Sequence, residues 1–235
     1  MIINGKFIGG LKFNKVMREK FPISKVARNA HIENHLVIDN RGYCTSANDQ
    51  GSSPTCAAQS MAQLIELHHW KIKHNVIQID AHAIYNRAKK IDGMPKEEGT
   101  TLQAVYLAAK ELEFLPPESC AFRLETLQDV LGAIAEFNCC LLGFDITEDW
   151  LDASPYDGFI PTNKNKKLGG HAVLGAAYFY YGADESRWIG FQNSWGLDWG
   201  AKGFGRMKLT QFYEQFFDGL AVYIPTDKVL ETQGL

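Results

Sequence analysis

Four residues have the types and the chain order needed for acyl transfer through a sulfur nucleophile. Cys56 stands where the polar turn "QGSSPT" meets a helical pattern, and Gln50 opens that turn. His171 begins an apolar strand in "GGHAV", and Asn193 ends another strand in "FQNSWG". In such chemistry a thiolate attacks, an imidazole moves the proton, one side-chain amide orients the imidazole and another stabilises the oxyanion. The four residues together predict a cysteine-nucleophile site.

The position of Cys56 at the start of a helix bears on its reactivity. Unpaired N–H groups and the positive end of the helix dipole stabilise a thiolate there, and a nearby His171 imidazolium would lower the pKa of the thiol further. Taken alone, this cysteine is more simply explained as a small buried hydrophobic residue. The presence of Gln50, His171 and Asn193 favours the catalytic interpretation.

The elements that must position these residues separate into two halves. Apolar periodicity predicts helices over 56–73, 101–113 and 125–137, and strands over 139–144, 171–181, 187–193, 204–208 and 220–224. The polar stretch 152–170 is expected to be a surface loop. Helices followed by strands predict an α+β protein with segregated halves.

Several motifs resemble those of the papain-like cysteine peptidases, over roughly residues 35–225. The most specific is "NSWGLDWGAKGFG"; "DQGSSPTC" is similar to the approach to the nucleophile, and "GGHAV" to the histidine strand. "EGTTLQAVYLAAKELEFLPPESCAF" is similar to the segment and helix that line the family's cleft. The resemblance implies a peptidase domain over 33–235. A helical lobe (about 44–125) would face a β-barrel-like lobe (about 126–225) across the cleft.

The resemblance also implies a role for each residue of the site. Cys56 would be the nucleophile, His171 the base and then the acid, Asn193 the orienting amide and Gln50 the oxyanion donor. Trp195 would shield the His171–Asn193 hydrogen bond from water. The implied activity is a thiol-dependent endopeptidase that works through an acyl-enzyme, with no cofactor and no metal.

Four further positions, Gly99, Thr100, Gly143 and Trp195, are expected to contact a protein or peptide substrate. The resemblance implies that the backbone of Gly99 and Thr100 pairs with an extended substrate, and that Gly143 lies at a specificity pocket. Alternatively, Gly99 and Thr100 form a turn before a helix, with Thr101 as its N-cap. Trp195 would suit simple aromatic packing within its glycine-rich turn.

The residues around the nucleophile depart from the family pattern and leave two other functions open. The family's Cys-Gly-[Ser/Ala]-Cys-[Trp/Tyr] is replaced by "SPTCA" at residues 53–57. Ser53 removes a disulfide partner, so we expect no native disulfide. The same site could instead deamidate or transpeptidate protein glutamine, or the chain could be an inactive peptidase-like binding module.

Composition narrows the class of protein. The chain has 235 residues, 46% of them hydrophobic, and a net charge of −3, so no overall basic balance points to nucleic acid. No apolar run is long enough to predict a membrane span, and no signal peptide is expected. Five unevenly spaced cysteines without a CxxC pair predict no zinc site and a reduced, cytoplasmic location, with signal-independent export left open. Glu66 and His69 have the spacing of a di-iron helix, but a second such helix is lacking.

Residues 1–32 form a basic arm before the resemblance begins. The arm contains seven basic residues and one acidic residue, whereas the remainder of the chain is net acidic. Phe13, Val16, Met17 and Phe21 would share one helical face, ended by Pro22. The arm could be a short pro-segment, a targeting segment, a surface for an anionic partner or membrane, or a structural extension. Our hypothesis is that it docks on the acidic body and limits access to Cys56.

Overall fold

The structure, a computed structural model, describes residues 1–23, 37–181 and 186–226. Its helices are α1 (Lys15–Glu19), α2 (Cys56–Lys73), α3 (Ala81–Ile91), α4 (Leu102–Glu111), α5 (Leu127–Phe137) and α6 (Leu209–Gln215). Its strands are β1 (Ile2–Ile3), β2 (Lys6–Phe7), β3 (Ile38–Asp39), β4 (Cys120–Arg123), β5 (Cys140–Thr147), β6 (Lys167–Tyr181), β7 (Ser186–Gln192), β8 (Phe204–Lys208) and β9 (Phe216–Tyr223). Short 3₁₀ helices span Arg41–Tyr43 and Glu148–Asp152. The predicted α+β class is confirmed.

The helical half is built around α2. This helix is buried from Cys56 to His69, with the polar side chains of Gln59, Gln63 and Glu66 enclosed among small and apolar ones. It ends at His74, which adopts a left-handed conformation (φ 54°). Helices α3 and α4 pack beside it, each started by a side-chain N-cap, Asp80 and Thr101 respectively.

The β half is one antiparallel sheet among the described residues. Its strands pair in the order β4-β9-β5-β6-β7-β8, and β3 also pairs with β6. The described pairing has β4 and β8 at its ends, so it does not close into a barrel. On the central strands Gly143 lies between Ala172 on one side and Asp218 on the other. Helix α2 packs against β6, an interior strand of this sheet and the one that carries His171.

The predicted elements match the structure closely at α2 and less closely elsewhere. The strand expected from His171 begins earlier, at Lys167, because both glycines before His171 take part in pairing with β5. Helix α3 was missed although Asp80 caps it and the apolar residues Ile84, Ala88 and Ile91 recur at spacings of four and three. The acidic segment after β5 buries Trp150 completely.

The N-terminal arm is described as far as residue 23, and the rest of it, with Lys25 and Arg28, lies outside the described residues. Strands β1 and β2 form a short hairpin, followed by an extended segment and then by α1. The predicted helical face is not buried as a unit, because α1 has only five residues and Val16 is 71% exposed. The buried part of the arm is the extended segment, where Phe7, Ile8 and Leu11 are each at most 5% exposed.

Candidate active site

Cys56 is the first residue of α2, and backbone N–H groups surround its sulfur. Thr55 precedes the helix as N-cap without a side-chain bond to it, so the first N–H groups of the helix are free to point at Sγ. The N–H groups of Cys56 itself, Ala57 and Ala172 all lie within hydrogen-bonding reach of the sulfur. Since Ala172 follows His171 on β6, its contact brings the sulfur next to the histidine.

His171 and Asn193 form the hydrogen bond that the sequence predicts. The ring nitrogen Nε2 of His171 lies 2.7 Å from Oδ1 of Asn193, and both residues are fully buried. The other ring nitrogen, Nδ1, has no hydrogen-bond partner in the part of the chain that the structure describes. The Asn193 bond therefore holds the ring and favours the tautomer in which Nε2 carries the proton and Nδ1 can accept one.

Two indole rings enclose the imidazole. The ring of Trp195 lies against His171 with centroids 4.6 Å apart, and Trp150 meets the same imidazole edge-on at 6.0 Å. Trp195 is 2% exposed, so it excludes water from this side of the His171–Asn193 pair. The contribution of Trp150 was missed by sequence reasoning, because its surroundings in "ITEDWLD" are acidic.

Gln50 is held in place by its own carbonyl oxygen. The Ser194 hydroxyl donates to Oε1 of Gln50 at 2.6 Å, which turns the Nε2 amide toward the cleft. There Nε2 donates to two backbone oxygens, Ser53 O and Phe7 O, each at 3.1 Å. Ser194 is thus a positioning residue that sequence reasoning did not single out, although it lies inside the "NSWG" motif.

Burial holds both reacting groups in their neutral forms. It raises the pKa of the Cys56 thiol to about 11, against the opposing effect of the surrounding N–H groups. It lowers the pKa of His171 to about 4, although the Asn193 bond acts in the opposite direction. The site therefore holds a thiol and a neutral imidazole at pH 7, whereas the sequence predicted a thiolate. The difference has a visible cause, because the N-terminal arm covers the sulfur.

The arm crosses the cleft directly over Cys56. A Cβ atom added to Gly10 would lie 3.1 Å from Sγ and 3.0 Å from the Pro54 carbonyl oxygen, so only glycine fits this place without displacement. The Gly10 N–H also lies within reach of the sulfur. Residue 10 of the arm is therefore in contact with the candidate nucleophile.

The arm pairs with both walls of the cleft. The Thr100 N–H donates to Gly10 O (3.0 Å), and the Lys12 N–H donates to Thr100 O (2.9 Å). On the opposite wall the Leu11 N–H donates to Gly170 O (2.9 Å). Gly99, at φ +86°, allows this approach, because a Cβ there would lie 1.8 Å from Gly10 O. The arm thus uses the backbone that the sequence predicted to bind substrate.

The side chain of Leu11 fills the space above Gly143. A Cβ on Gly143 would lie 2.5 Å from Cδ2 of Leu11, so the missing side chain on β5 is what makes room for it. Phe217, on the adjacent strand β9, packs against the same core cluster as Leu11. We call the space above Gly143 that the Leu11 side chain fills the Leu11 pocket. Leu11 is 3% exposed within it.

No group of metal-binding side chains is present among the described residues. Glu66, the carboxylate considered for a di-iron site, instead accepts from the Thr45 hydroxyl (2.6 Å) and the Ile79 N–H (2.9 Å). Thr101 caps α4 by accepting from the Ala104 N–H. Within the same described ranges, no helix has the length and apolar character needed to cross a membrane.

Comparison with known proteins places these features in a structural context. No protein-family model and no curated protein matches the sequence. Among solved structures, xylellain, a cysteine protease from Xylella fastidiosa, aligns with a TM-score of 0.68 at 17% identity, covering 96% of this chain and 100% of that one. Procathepsin B S9 from Trypanosoma congolense gives 0.68 at 12% identity, covering 93% and 87%. The proform of Amb a 11, a ragweed pollen cysteine protease, gives 0.67 at 13%, covering 94% and 75%.

Proposed function

Because the chain has the papain-like fold, we propose that it is a thiol-dependent peptidase that cleaves peptide bonds through an acyl-enzyme on Cys56. The observation that carries the proposal is the buried His171–Asn193 hydrogen bond, which leaves His171 Nδ1 unpartnered among the described residues. The bond fixes the orientation of the ring but leaves Nδ1 unsatisfied within the described part of the chain, an arrangement that a purely structural histidine does not require. Because His171 precedes Ala172, whose N–H acts on the Cys56 sulfur, this acceptor is the candidate general base for the thiol.

The proposed reaction uses each group once in each half. His171 Nδ1 takes the Cys56 proton, and the sulfur attacks the carbonyl carbon of the substrate. The negative charge that develops on the carbonyl oxygen is stabilised by the Gln50 amide and by the N–H groups at the start of α2. The imidazolium then protonates the leaving amine as the C–N bond breaks. Water, deprotonated by the same histidine, attacks the thioester and releases the acid and the thiol.

Two other functions predict different products from the same site. Deamidation of a protein glutamine would convert the side-chain amide to a carboxylic acid without breaking the chain, and transpeptidation would form a new amide. A binding module would leave every substrate intact. Intact protein and peptide mass spectra distinguish these outcomes from proteolysis, which creates two new termini.

We further propose that the N-terminal arm keeps the enzyme latent. It occupies the Gln50 amide, the sulfur and both walls of the cleft at once. Surface ion pairs between Lys6 and Asp49 and between Lys12 and Glu97 add an electrostatic contribution. Because these pairs are exposed, salt should weaken docking.

The arm is arranged as a blocker rather than as a substrate. A peptide bond ready for attack has its carbon at the sulfur and its oxygen on the oxyanion donor. Here the carbonyl on Gln50 belongs to Phe7, whereas the residue against Sγ is Gly10, whose own oxygen is bound by Thr100. No single arm residue therefore engages both groups in the productive way.

The test is a peptide-library digest by full-length protein carrying Gly10→Val, which should displace the arm from the sulfur. We expect cleavage of a subset of peptides, and no cleavage when Cys56→Ala is added to the same protein. The proposal fails if the Gly10→Val protein is folded and its Cys56 reacts rapidly with a haloacetamide, yet no peptide is cut.

A further inference from the structure

Asp218 is a buried carboxylate in the wall of the cleft, and its cationic partner comes from the arm. Its side chain is fully buried on β9, directly opposite Gly143 of β5. A Cβ on Gly143 would lie 3.5 Å from Cβ of Asp218 and 2.5 Å from Cδ2 of Leu11. The carboxylate therefore lies immediately beside the Leu11 pocket.

The hydrogen bonds of Asp218 divide between the arm and the body of the protein. Oδ1 accepts from Nε of Arg18 (2.8 Å) and from the Gly219 N–H (3.0 Å). Oδ2 accepts from Nε2 of Gln103 (3.2 Å). Of these donors only Arg18 is charged, and it belongs to α1 of the arm. A buried carboxylate that loses its charged partner is costly, so displacing the arm leaves a site that attracts a cation.

Several hydrogen-bond acceptors surround the position of the Arg18 guanidinium. Oε1 of Gln103 is buried without a hydrogen-bond partner in the described part of the chain. A second carboxylate, Glu125, lies 3.6 Å from NH1 of Arg18. The Leu124 carbonyl oxygen accepts from NH2 of Arg18 at 3.1 Å. A guanidinium has five N–H groups in a plane, which suits several acceptors around one position better than a lysine ammonium does.

Leu11 and Arg18 together occupy the space that a single arginine side chain of a substrate would fill. Leu11 fills the apolar part of the pocket, and the Arg18 guanidinium neutralises the carboxylate beside it. An arginine entering over Gly143 would bury its aliphatic stem where Leu11 lies and direct its guanidinium toward Asp218. We propose that Asp218 makes the Leu11 pocket a subsite for an arginine side chain of the substrate, an inference that rests on the peptidase proposal.

The test compares electrophilic peptide probes that differ in one side chain. At one position the three probes carry arginine, citrulline or leucine. Citrulline has nearly the shape of arginine but no charge. That position is moved through the three residues before the electrophile. The protein is the full chain with Gly10→Val and Arg18→Ala, which displaces the arm and removes the competing guanidinium. The rate of Cys56 alkylation is followed by intact mass.

At one position we expect arginine to react about tenfold or more faster than citrulline, as for a hydrogen bond to a charged group. Asp218→Asn should bring the arginine and citrulline rates together. Glu111→Gln, which neutralises an exposed carboxylate paired with Arg87 at the far end of α4, should leave the arginine preference intact. Gly143→Ala should slow the arginine and leucine probes alike, because the added methyl group enters the pocket itself.

Equal rates for arginine and citrulline at every position would overturn the proposal, as would an arginine preference that survives Asp218→Asn. If Asp218→Asn fails to fold, Gly143→Ala decides. An arginine-probe rate that Gly143→Ala leaves unchanged places the arginine side chain elsewhere and refutes the subsite. Alkylation needs a bound peptide and a reactive sulfur but no hydrolysis. An arginine preference without peptide cleavage would therefore retain the subsite and reject the peptidase.

Discussion

Replacing Leu11 by alanine measures how strongly the arm is docked. Leu11 is 3% exposed and packs in the core cluster that contains Cys56, whereas its backbone bond to Gly170 O does not depend on the side chain. Removing a buried leucine side chain typically costs about 2–5 kcal/mol. Because the pocket lies at the mouth of a cleft and water can refill it, we take the lower end, about 2 kcal/mol. At about 1.4 kcal/mol per factor of ten, the population with an undocked arm should rise roughly thirtyfold.

The assay is alkylation of Cys56 by a haloacetamide at low reagent concentration, where the rate follows the fraction of protein with an open cleft. Full-length Leu11→Ala should react roughly thirtyfold faster than the parent protein. Val16→Ala changes an exposed arm residue and should have no effect. Leu131→Ala makes the same substitution in the core of the β half and should lower Tm without opening the cleft. Equal alkylation rates in the Leu11→Ala and Leu131→Ala proteins would refute the docking argument.

Three further predictions concern the chemistry of the site. With the arm displaced by Gly10→Val, Gln50→Ala should lower kcat about 10²–10³-fold but leave haloacetamide alkylation of Cys56 nearly unchanged, because alkylation builds no oxyanion; equal losses would make Gln50 structural. Since burial raises the pKa of Cys56 to about 11 and lowers that of His171 to about 4, the parent protein should show thiolate reactivity only at alkaline pH. Gly10→Val should shift that rise to lower pH and give a bell-shaped kcat/KM, and an unchanged profile would contradict this. All five cysteines are free, so reductant should leave Tm unchanged, and a fall of several degrees would indicate a disulfide.

The sequence predicted the fold where one pattern dominates a segment. Helix α2 was predicted to the residue, because apolar residues such as Met61, Leu64 and Ile65 recur at helical spacing and His74 ends the helix. The strands were recognised but placed with shifted ends, since glycines 169 and 170 in β6 are poor strand formers and were assigned to a loop. Helix α3 also carries a local signal, an N-cap at Asp80 followed by Ile84 and Ala88 on one face, and this signal was overlooked.

The order Cys–His–Asn and the "NSWG" motif were enough to name the groups that meet in the site. They could not predict the charge state of those groups. A cysteine at a helix N-terminus favours a thiolate only while the sulfur is hydrated or faces a cation, and here the pKa rises because the site is sealed. The sulfur is covered by Gly10, which precedes Cys56 by 46 residues in the chain. No local pattern at Cys56 contains that information.

The sequence of the arm contained evidence for an extended segment, which was overlooked because the basic charge and the helical periodicity of the arm were considered first. Its stretch "FIGGLKF" places apolar residues on both sides of two glycines, which disfavours a helix and leaves a bare backbone that fits a narrow cleft. The cleft has matching gaps in its walls: Gly99 admits the Gly10 carbonyl, and Gly143 admits Leu11. A bare backbone on one wall and a vacant pocket on the other are also what an extended substrate requires. The features that let the arm block the site are therefore those that would let a peptide bind. A single substitution at Gly10, which displaces the arm, should open the cleft to a peptide.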